Sequence, residues 1–388
     1  MIMQSNRHSE IGYRESSSSA KGKALLGLYI GMLVVICVIS FTFGASFAYK
    51  DYLLGLPSYV PQGTDATMVN EDGSFVNISE IIASETTQIA IPEFEHIHNI
   101  LLIGIDSRSK SYSKDGSGSR ADIIMILTVN EKDGTIKLLS IARDSYAYIP
   151  GFSDPQKING AMTYGGPELL MATIENSLRI ELNDYAFVNF YHMEKVIDSV
   201  GGVYAYVSEA ERINEGGLNS LLAGDNIEKG LEPETNLLQT SGTQLLNGRQ
   251  AVMYSRIRKV GGGDYERSKR QVEVLESLLK RFMNRSLSGQ ASALEKMLPH
   301  VSTNIPRDRI EWYATTFLSQ LKSPEFVYEK LPLNGYSNQG IYSDFYARQW
   351  SIRPDWNGMI PFVQEYIFGE NFPVDPVRTI PNAPNSGE

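Results

Sequence analysis

The stretch Asn99-Ile100-Leu101-Leu102-Ile103-Gly104-Ile105 runs almost without a polar break. A strand with one wet face alternates, so a near-continuous apolar run of this length reads as a strand buried on both faces. A second such run, Ile123 to Val129, is turned by Asn130 to Gly134 into a third strand at Thr135 to Ile141. Each of the three has charge beside one end. Asp106 follows the first, Arg120 and Asp122 lead into the second, and Arg143 and Asp144 stand just past the third. Charged residues gathered at strand ends are expected for a ligand site along one edge of an open sheet.

The rest of the chain supplies further elements around that sheet. Pro167 to Leu178 reads as an amphipathic helix with Pro in its first turn, and Tyr185 to Phe190 as another strand. Met193 to Val200 is helical and stopped by Gly201-Gly202, after which Val203 to Val207 is a strand. Glu209 to Glu234 is polar, holds several glycines and reads as a surface loop. A long helix is expected from about Glu266 to Met283, with Val272, Leu275, Leu278, Leu279 and Phe282 on one face. Helices to about Leu321 and strands near Phe326 to Leu331 complete the sheet, and the proline-rich end after Arg353 reads as a peripheral extension.

Before that helix lies the most basic stretch of the chain, Tyr254 to Gln271, with Arg256, Arg258, Lys259, Arg267, Lys269 and Arg270. The whole chain has a formal net charge of -10, so this local basicity runs against its background and asks for an anion. Tyr254, Arg256 and Arg258 alternate, which on a strand puts both guanidinium groups on one face. Gly261, Gly262 and Gly263 make a turn, and Arg267, Arg270 and Gln271 follow three and four apart, near a helix start. Guanidinium forks suit phosphate oxygens. The plainer alternative is an edge strand and a solvated helix start making ordinary ion pairs.

Several classes of function are excluded. Cys37 is the sole cysteine, and His96 and His98 have no third His or Cys nearby, which leaves no disulfide framework and no zinc site. No G-x-x-x-x-G-K-[ST], no G-x-G-x-x-G at a strand-to-helix turn and no G-x-S-x-G elbow is present. A pI of about 5.2 with a basic cleft rather than a basic stripe speaks against nucleic acid as a partner.

Residues 1 to 23 are polar and Ser-rich, with Arg7, Arg14, Lys21 and Lys23 outweighing Glu10 and Glu15. From Ala24 to Ala48 no charged residue appears. At about 1.5 Å per residue such a run spans a hydrocarbon core of roughly 30 Å, and it reads as one transmembrane helix. A cleaved signal peptide is the competing reading, against which stand the length of the run and the weak processing site at Gly44-Ala45-Ser46. The basic tail before the helix places the N-terminus in the cytoplasm and the bulk of the chain outside, as a single-pass protein of the cell membrane. Residues 49 to 94, with Pro57, Pro61, Gly63 and Gly73, fit a stalk with a little structure around Ile78 to Ile82.

Asp106 and Asp122, each beside a strand, suit either turn duty or a shared divalent cation. Arg120 and Arg143 nearby set anion clamps beside that cation site, which is what a pyrophosphate needs.

The order Gly104-Ile105-Asp106-Ser107-Arg108, Ser119-Arg120-Ala121-Asp122, Ser140-Ile141-Ala142-Arg143-Asp144, Lys157-Ile158-Asn159 with Gly165-Gly166, Val200-Gly201-Gly202-Val203, then Tyr254-Ser255-Arg256-Ile257-Arg258 and Arg267 to Gln271 resembles the LytR-CpsA-Psr family of bacterial cell-envelope enzymes. The match covers roughly residues 97 to 285. The resemblance implies an α/β/α sandwich with a central mixed sheet and a deep apolar pocket for a polyprenyl chain, within a catalytic domain of about residues 95 to 370 followed by a tail, 371 to 388. It implies transfer of a glycopolymer, of teichoic acid or capsular polysaccharide type, from a polyprenyl diphosphate carrier to peptidoglycan. By the same resemblance Asp106 and Asp122 hold Mg²⁺ or Mn²⁺, and Arg120, Arg143, Arg256, Arg258, Arg267, Arg270 and Gln271 contact the diphosphate or support its neighbours. Asp264 and Asp144 are candidates for the base, though each more readily serves to orient an arginine. Two positions depart from the family pattern: Ala142 stands where Pro is usual and Glu266 where Gly is usual. A prenyl-phosphate-binding regulator without catalysis and a pyrophosphatase using water on the same site are the alternative functions.

Overall fold

The computed structural model describes residues 55, 57–60, 67–69, 75–85, 94–105, 116, 118–132, 134–261, 264–306, 308–309, 326–342 and 349–384. The expected N-terminal tail and transmembrane helix, and Asp106, lie outside the described residues, as do Gly262, Gly263 and the side chain of Asp264. Among the described residues no helix is long and apolar enough to cross a membrane.

The apolar runs become the middle of a seven-stranded mixed sheet. Its strands are β1 (Ser58–Tyr59), β2 (Ile97–Ile105), β3 (Ala121–Asn130), β4 (Thr135–Ile141), β5 (Asp184–Asn189), β6 (Ser302–Thr303) and β7 (Phe326–Leu331), in the spatial order β1-β6-β5-β2-β3-β4-β7. β2, β3 and β4 form an antiparallel meander, while β5 runs parallel to β2 and β7 parallel to β4. Because side chains alternate across a strand, each central strand feeds two cores. Ile100, Leu102, Ile123, Met125 and Leu127 join one, and Leu101, Ile103, Ile124 and Ile126 join the other. Each fully buried Leu or Ile contributes roughly 1.5–3 kcal/mol, so a sheet buried this way has to be covered on both sides.

Helices do so. α1 (Ile78–Glu85), α2 (Gly160–Leu178) and α9 (Trp356–Phe368) cover one face. α3 (Phe190–Ser199), α5 (Leu218–Glu228), α6 (Gly248–Ser255), α7 (Asp264–Met283) and α8 (Leu287–Met297) cover the other, beside the short α4 (Glu209–Ile213) and an antiparallel hairpin of Val203–Val207 with Gly242–Leu246. The result is the α/β/α sandwich that the resemblance implies. α2 is broken at Gly165 and Gly166, whose φ of 67° no ordinary residue adopts easily, and Pro167 opens its second half as the sequence suggests. That half is buried nearly all round rather than amphipathic. α6 approaches α3 so closely that a Cβ on Gly248 would fall within contact distance of the Glu194 backbone.

Four expectations change. Residues 209 to 234 hold α4 and α5 instead of a loop, and Ser208 with Glu211 forms a capping box at the start of α4. Tyr254 ends helix α6 rather than lying on a strand, because Asn247 and Gln250 form a second capping box that nucleates that helix. The chain after Arg353 is no peripheral extension: Trp356, Met359, Val363 and Ile367 of α9 are buried under the sheet, and Ile380 beyond it is buried too. Part of the expected stalk belongs to the folded unit, since β1 pairs with β6 and Met68, Ile78 and Ile81 join a core. Structure around Ile78 to Ile82 is present as α1.

Candidate active site

Sheet register brings the first two site residues together. β3 and β4 pair antiparallel with Ile124 opposite Ile141. Asp122 lies two residues before the first and Arg143 two residues after the second, so both emerge at the same sheet end. There Arg143 Nη1 donates to Asp122 Oδ1. Arg143 Nε lies 3.4 Å from Asp144 Oδ2, and Lys157 Nζ donates to Asp144 Oδ1 at 2.9 Å, giving an alternating chain of charges from Lys157 to Asp122. The segment carrying Lys157 is held in place by backbone bonds from Ile158 N to Ser145 O at 2.7 Å and from Asn159 N to Arg143 O at 3.3 Å. Burial raises the Asp144 carboxyl, but Lys157, Arg143 and Arg267 together outweigh it and hold the group below its ordinary value. Asp144 is therefore a charged orienter of Arg143 and a weak proton acceptor.

The remaining residues come from three helices. α3 begins where β5 ends, capped by Asn189, whose side chain accepts from His192 N at 2.8 Å. Its first residue, Phe190, lies under the guanidinium of Arg256, 4.9 Å from ring centre to Cζ, a cation–π contact that fixes the arginine at the end of α6. Arg258 follows in the loop after that helix and is exposed. Arg267 and Gln271, one turn apart near the start of α7, face the same space. Together with Asp122 these side chains enclose a cavity of about 340 Å³.

Sequence reasoning missed one wall. Ser220, Leu221, Gly224, Asp225 and Glu228 of α5 complete the cavity. The capping box Ser208-x-x-Glu211 just upstream is the signal that marks this region as helical. Asp225 is not available to a ligand cation, since Arg249 Nη2 lies 2.5 Å and Lys229 Nζ 3.0 Å from its Oδ2. Phe190, Leu221 and Met253 are the apolar part of a lining that is otherwise polar, so this cavity is mixed in character.

Two expected site residues take other positions. Arg270 points away from the cavity: it pairs with Glu211 Oε1 at 2.7 Å and donates to Ile257 O at 3.0 Å and Val260 O at 2.8 Å, buried to 4% exposure. It secures the loop that carries Arg258. Arg120 is exposed one residue ahead of β3 and does not line the cavity. Asp264 opens α7. Of the two departures, Glu266 pairs with Lys269 at 2.7 Å and stays out of the cavity lining, and Ala142 donates its N–H to Leu331 O at 3.0 Å.

Among the described residues no group of three or more His, Cys, Asp or Glu is placed to hold a metal ion. The fit of Mg²⁺ rests on donor chemistry. That ion takes one or two carboxylates and completes its shell from water and substrate phosphates. Asp122 offers a carboxylate in the cavity with only Oδ1 engaged by Arg143, beside guanidinium groups suited to phosphate, so the residues present fit such an ion.

A search of known proteins bears on the same region. The family model described as the LytR_cpsA_psr family matches residues 67–351. The Enterococcus faecalis protein named polyisoprenyl-teichoic acid–peptidoglycan teichoic acid transferase TagU is 28% identical over 290 residues, covering 74% of this chain and 80% of its own length. The Staphylococcus aureus regulatory protein MsrR is 32% identical over 209 residues, covering 54% of this chain and 56% of its own. A solved structure described as TagT bound to LI-WTA superposes with a TM-score of 0.53 at 25% identity, covering 73% of this chain and 96% of that one.

Proposed function

We propose, from the premise that this chain belongs to the LytR-CpsA-Psr family, that it is a phosphotransferase moving an anionic cell-wall glycopolymer from a polyprenyl diphosphate carrier to peptidoglycan. The observation that carries the reading is the meeting of Arg256, Arg258, Arg267 and Gln271 around one cavity with Asp122, which Arg143 holds, in a chain of formal net charge -10. Relatives named as teichoic acid transferases support the substrate class.

In this reading the diphosphate lies among the guanidinium groups. Arg256, braced on Phe190, and Arg267, fixed by α7, bind its oxygens as preorganised donors. An acceptor hydroxyl attacks the phosphorus nearer the glycan, that phosphorus–oxygen bond to the prenyl phosphate breaks, and prenyl monophosphate leaves with the electron pair. Arg143, oriented by Asp144, balances charge on the departing phosphate. Asp264 is the carboxylate we assign to take the hydroxyl proton, since Asp144 is committed to Arg143 and Lys157. A Mg²⁺ or Mn²⁺ ion held by Asp122, with Asp106 as second ligand, would supply further neutralisation of the diphosphate. The apolar wall of Phe190, Leu221 and Met253 would take the first prenyl units. The apolar run Ala24 to Ala48 would anchor the protein in the cell membrane with its catalytic domain outside.

The test is incubation of the full-length chain with a labelled polyprenyl-diphosphate glycan and peptidoglycan fragments, with and without Mg²⁺. Transfer that depends on the metal and collapses in folded Asp122→Ala and Arg256→Ala variants is expected. Wild-type transfer by both variants refutes the site. Binding without turnover by the intact chain favours the regulatory role named for MsrR, and release of prenyl monophosphate without acceptor favours hydrolysis.

A further inference from the structure

The C-terminal half of α7 and the strand Val203–Val207 enclose a second groove, of about 630 Å³, that shares no residue with the cavity above. At one end, two arginines converge. A side chain on Gly201 would begin 3.2 Å from Arg281 Nη2 and 3.4 Å from Arg285 Nη2, so the two cations meet over one point. Arg281 donates to Val200 O at 3.3 Å and Gly201 O at 3.1 Å, and Arg285 to Gly289 O at 3.5 Å. Among the described residues neither has a carboxylate within ion-pair distance, whereas neighbouring Lys280 is paired with Glu276. Burial and the like charge of Arg281 both push the Arg285 guanidinium below its ordinary value. An anion placed between the two would relieve that repulsion.

One ring, Tyr204, stands on the other wall, with Tyr206 outside the lining. Tyr204 is 50% exposed with Arg281 5.2 Å from its ring centre, and Tyr206, two positions on and so on the same face of the strand, is 60% exposed. Ser277 and Asn284 add polar groups. Exposed rings beside hydroxyl, amide and guanidinium groups suit a ligand with both apolar C–H faces and hydroxyls, which describes a sugar. Two carboxylates also line the groove, but Glu276 is paired with Lys280 and Glu273 accepts from Tyr206 N and Tyr254 Oη, so both are engaged within the protein. Complementing the end of α7 accounts for Lys280 and Arg281. It does not account for Arg285, which lies beyond the helix, or for the exposed tyrosines.

We propose that this groove binds an anionic polysaccharide strand, with a phosphate or carboxylate between Arg281 and Arg285 and a sugar or polyol unit against Tyr204. The inference goes beyond the transfer reaction and does not depend on it, since it needs no chemistry at the first cavity. Taken with the transfer reading, it would give a protein that holds polymer at two separate places.

Binding of a poly(glycerol phosphate) oligomer to the full-length chain, measured by calorimetry, tests this, with dextran of matched length and inorganic phosphate as comparison probes. Arg285→Glu is expected to weaken the oligomer about tenfold, the loss of one charge-assisted contact. Tyr204→Ala, at a half-exposed position, is expected to weaken it severalfold. Arg256→Ala, in the first cavity, should leave a binding site that Arg285→Glu then removes. Unchanged affinity in both groove variants overturns the proposal, as does loss of all binding in Arg256→Ala. Displacement of the oligomer by equimolar inorganic phosphate also overturns it, because a simple anion site would then suffice. Groove binding that survives in a chain without transfer activity would refute the proposed reaction and leave this inference standing.

Discussion

Arg143 donates to Asp122 across the open end of β3 and β4, and through Asp144 it is tied to Lys157 as well. Substituting it therefore removes the donor we assign to the departing phosphate and frees the Asp122 carboxylate in the cavity at once. Arg143→Ala is expected to lower transfer by about 10²–10³, the usual loss for a preorganised donor to developing charge. Arg143→Lys should recover only part of it, because a point charge cannot reach both carboxylates. Rates from labelled prenyl-diphosphate glycan, read beside a thermal melt, check both.

Arg270 and Gln271 are adjacent in sequence and opposite in duty. Arg270→Ala leaves Glu211 without its partner and Ile257 O and Val260 O without a donor, which is expected to cost about 3–5 kcal/mol. Gln271→Ala should leave the unfolding midpoint nearly unchanged and weaken substrate binding. Denaturant unfolding separates the two, and equal midpoints would show that Arg270 is not structural.

Glu175 on α2 carries a carboxyl that burial, helped by the neighbouring charge of Glu181, pushes up to about 7, although Leu182 N donates to it. A carboxyl raised in the folded state contributes stability fully present below the ordinary value of 4.5 and lost as pH rises towards 7. Glu175→Gln keeps the acceptor for Leu182 N without the charge. Melts at pH 4 should match wild type, and at pH 8 the variant should be more stable by about 2 kcal/mol.

Ala142 stands where the family usually has proline, and its N–H donates to Leu331 O, tying the end of β4 to the outer strand β7. Proline has no such donor. Ala142→Pro is expected to cost about 1 kcal/mol for the lost bond and to speed amide exchange along Phe326–Leu331. Unaltered exchange there would show that the bond does not hold the edge.

The sheet was legible because both-face burial leaves an unmistakable trace. Asn99 to Ile105 and Ile123 to Val129 fall inside β2 and β3, and Val203 to Val207 and Phe326 to Leu331 coincide with strands. The site was legible as a set of residues and less so as a geometry. Arg256 and Arg258 do face one space, but from a helix end and a loop, because the caps at Asn247 and Gln250 override the alternation that suggested a strand. Spacing alone put Arg267, Arg270 and Gln271 together. The half-buried carboxylate of Glu211, far away in sequence, and the carbonyls of Ile257 and Val260 turn Arg270 aside. The same competition hid α5, whose glycines and polar residues resemble a loop until Leu218 and Leu222 find a core to bury against.

The bare meeting of Gly248 with the backbone of Glu194 has a reach well beyond its size. With no side chain between them, α3 and α6 have no slack, and these are the helices that bear Phe190 and deliver Arg256. The spacing of ring and guanidinium is thus gauged by an uncharged contact elsewhere on the same two helices. A single methyl group added there would run into the Glu194 backbone and force α3 and α6 apart, carrying ring and guanidinium with them.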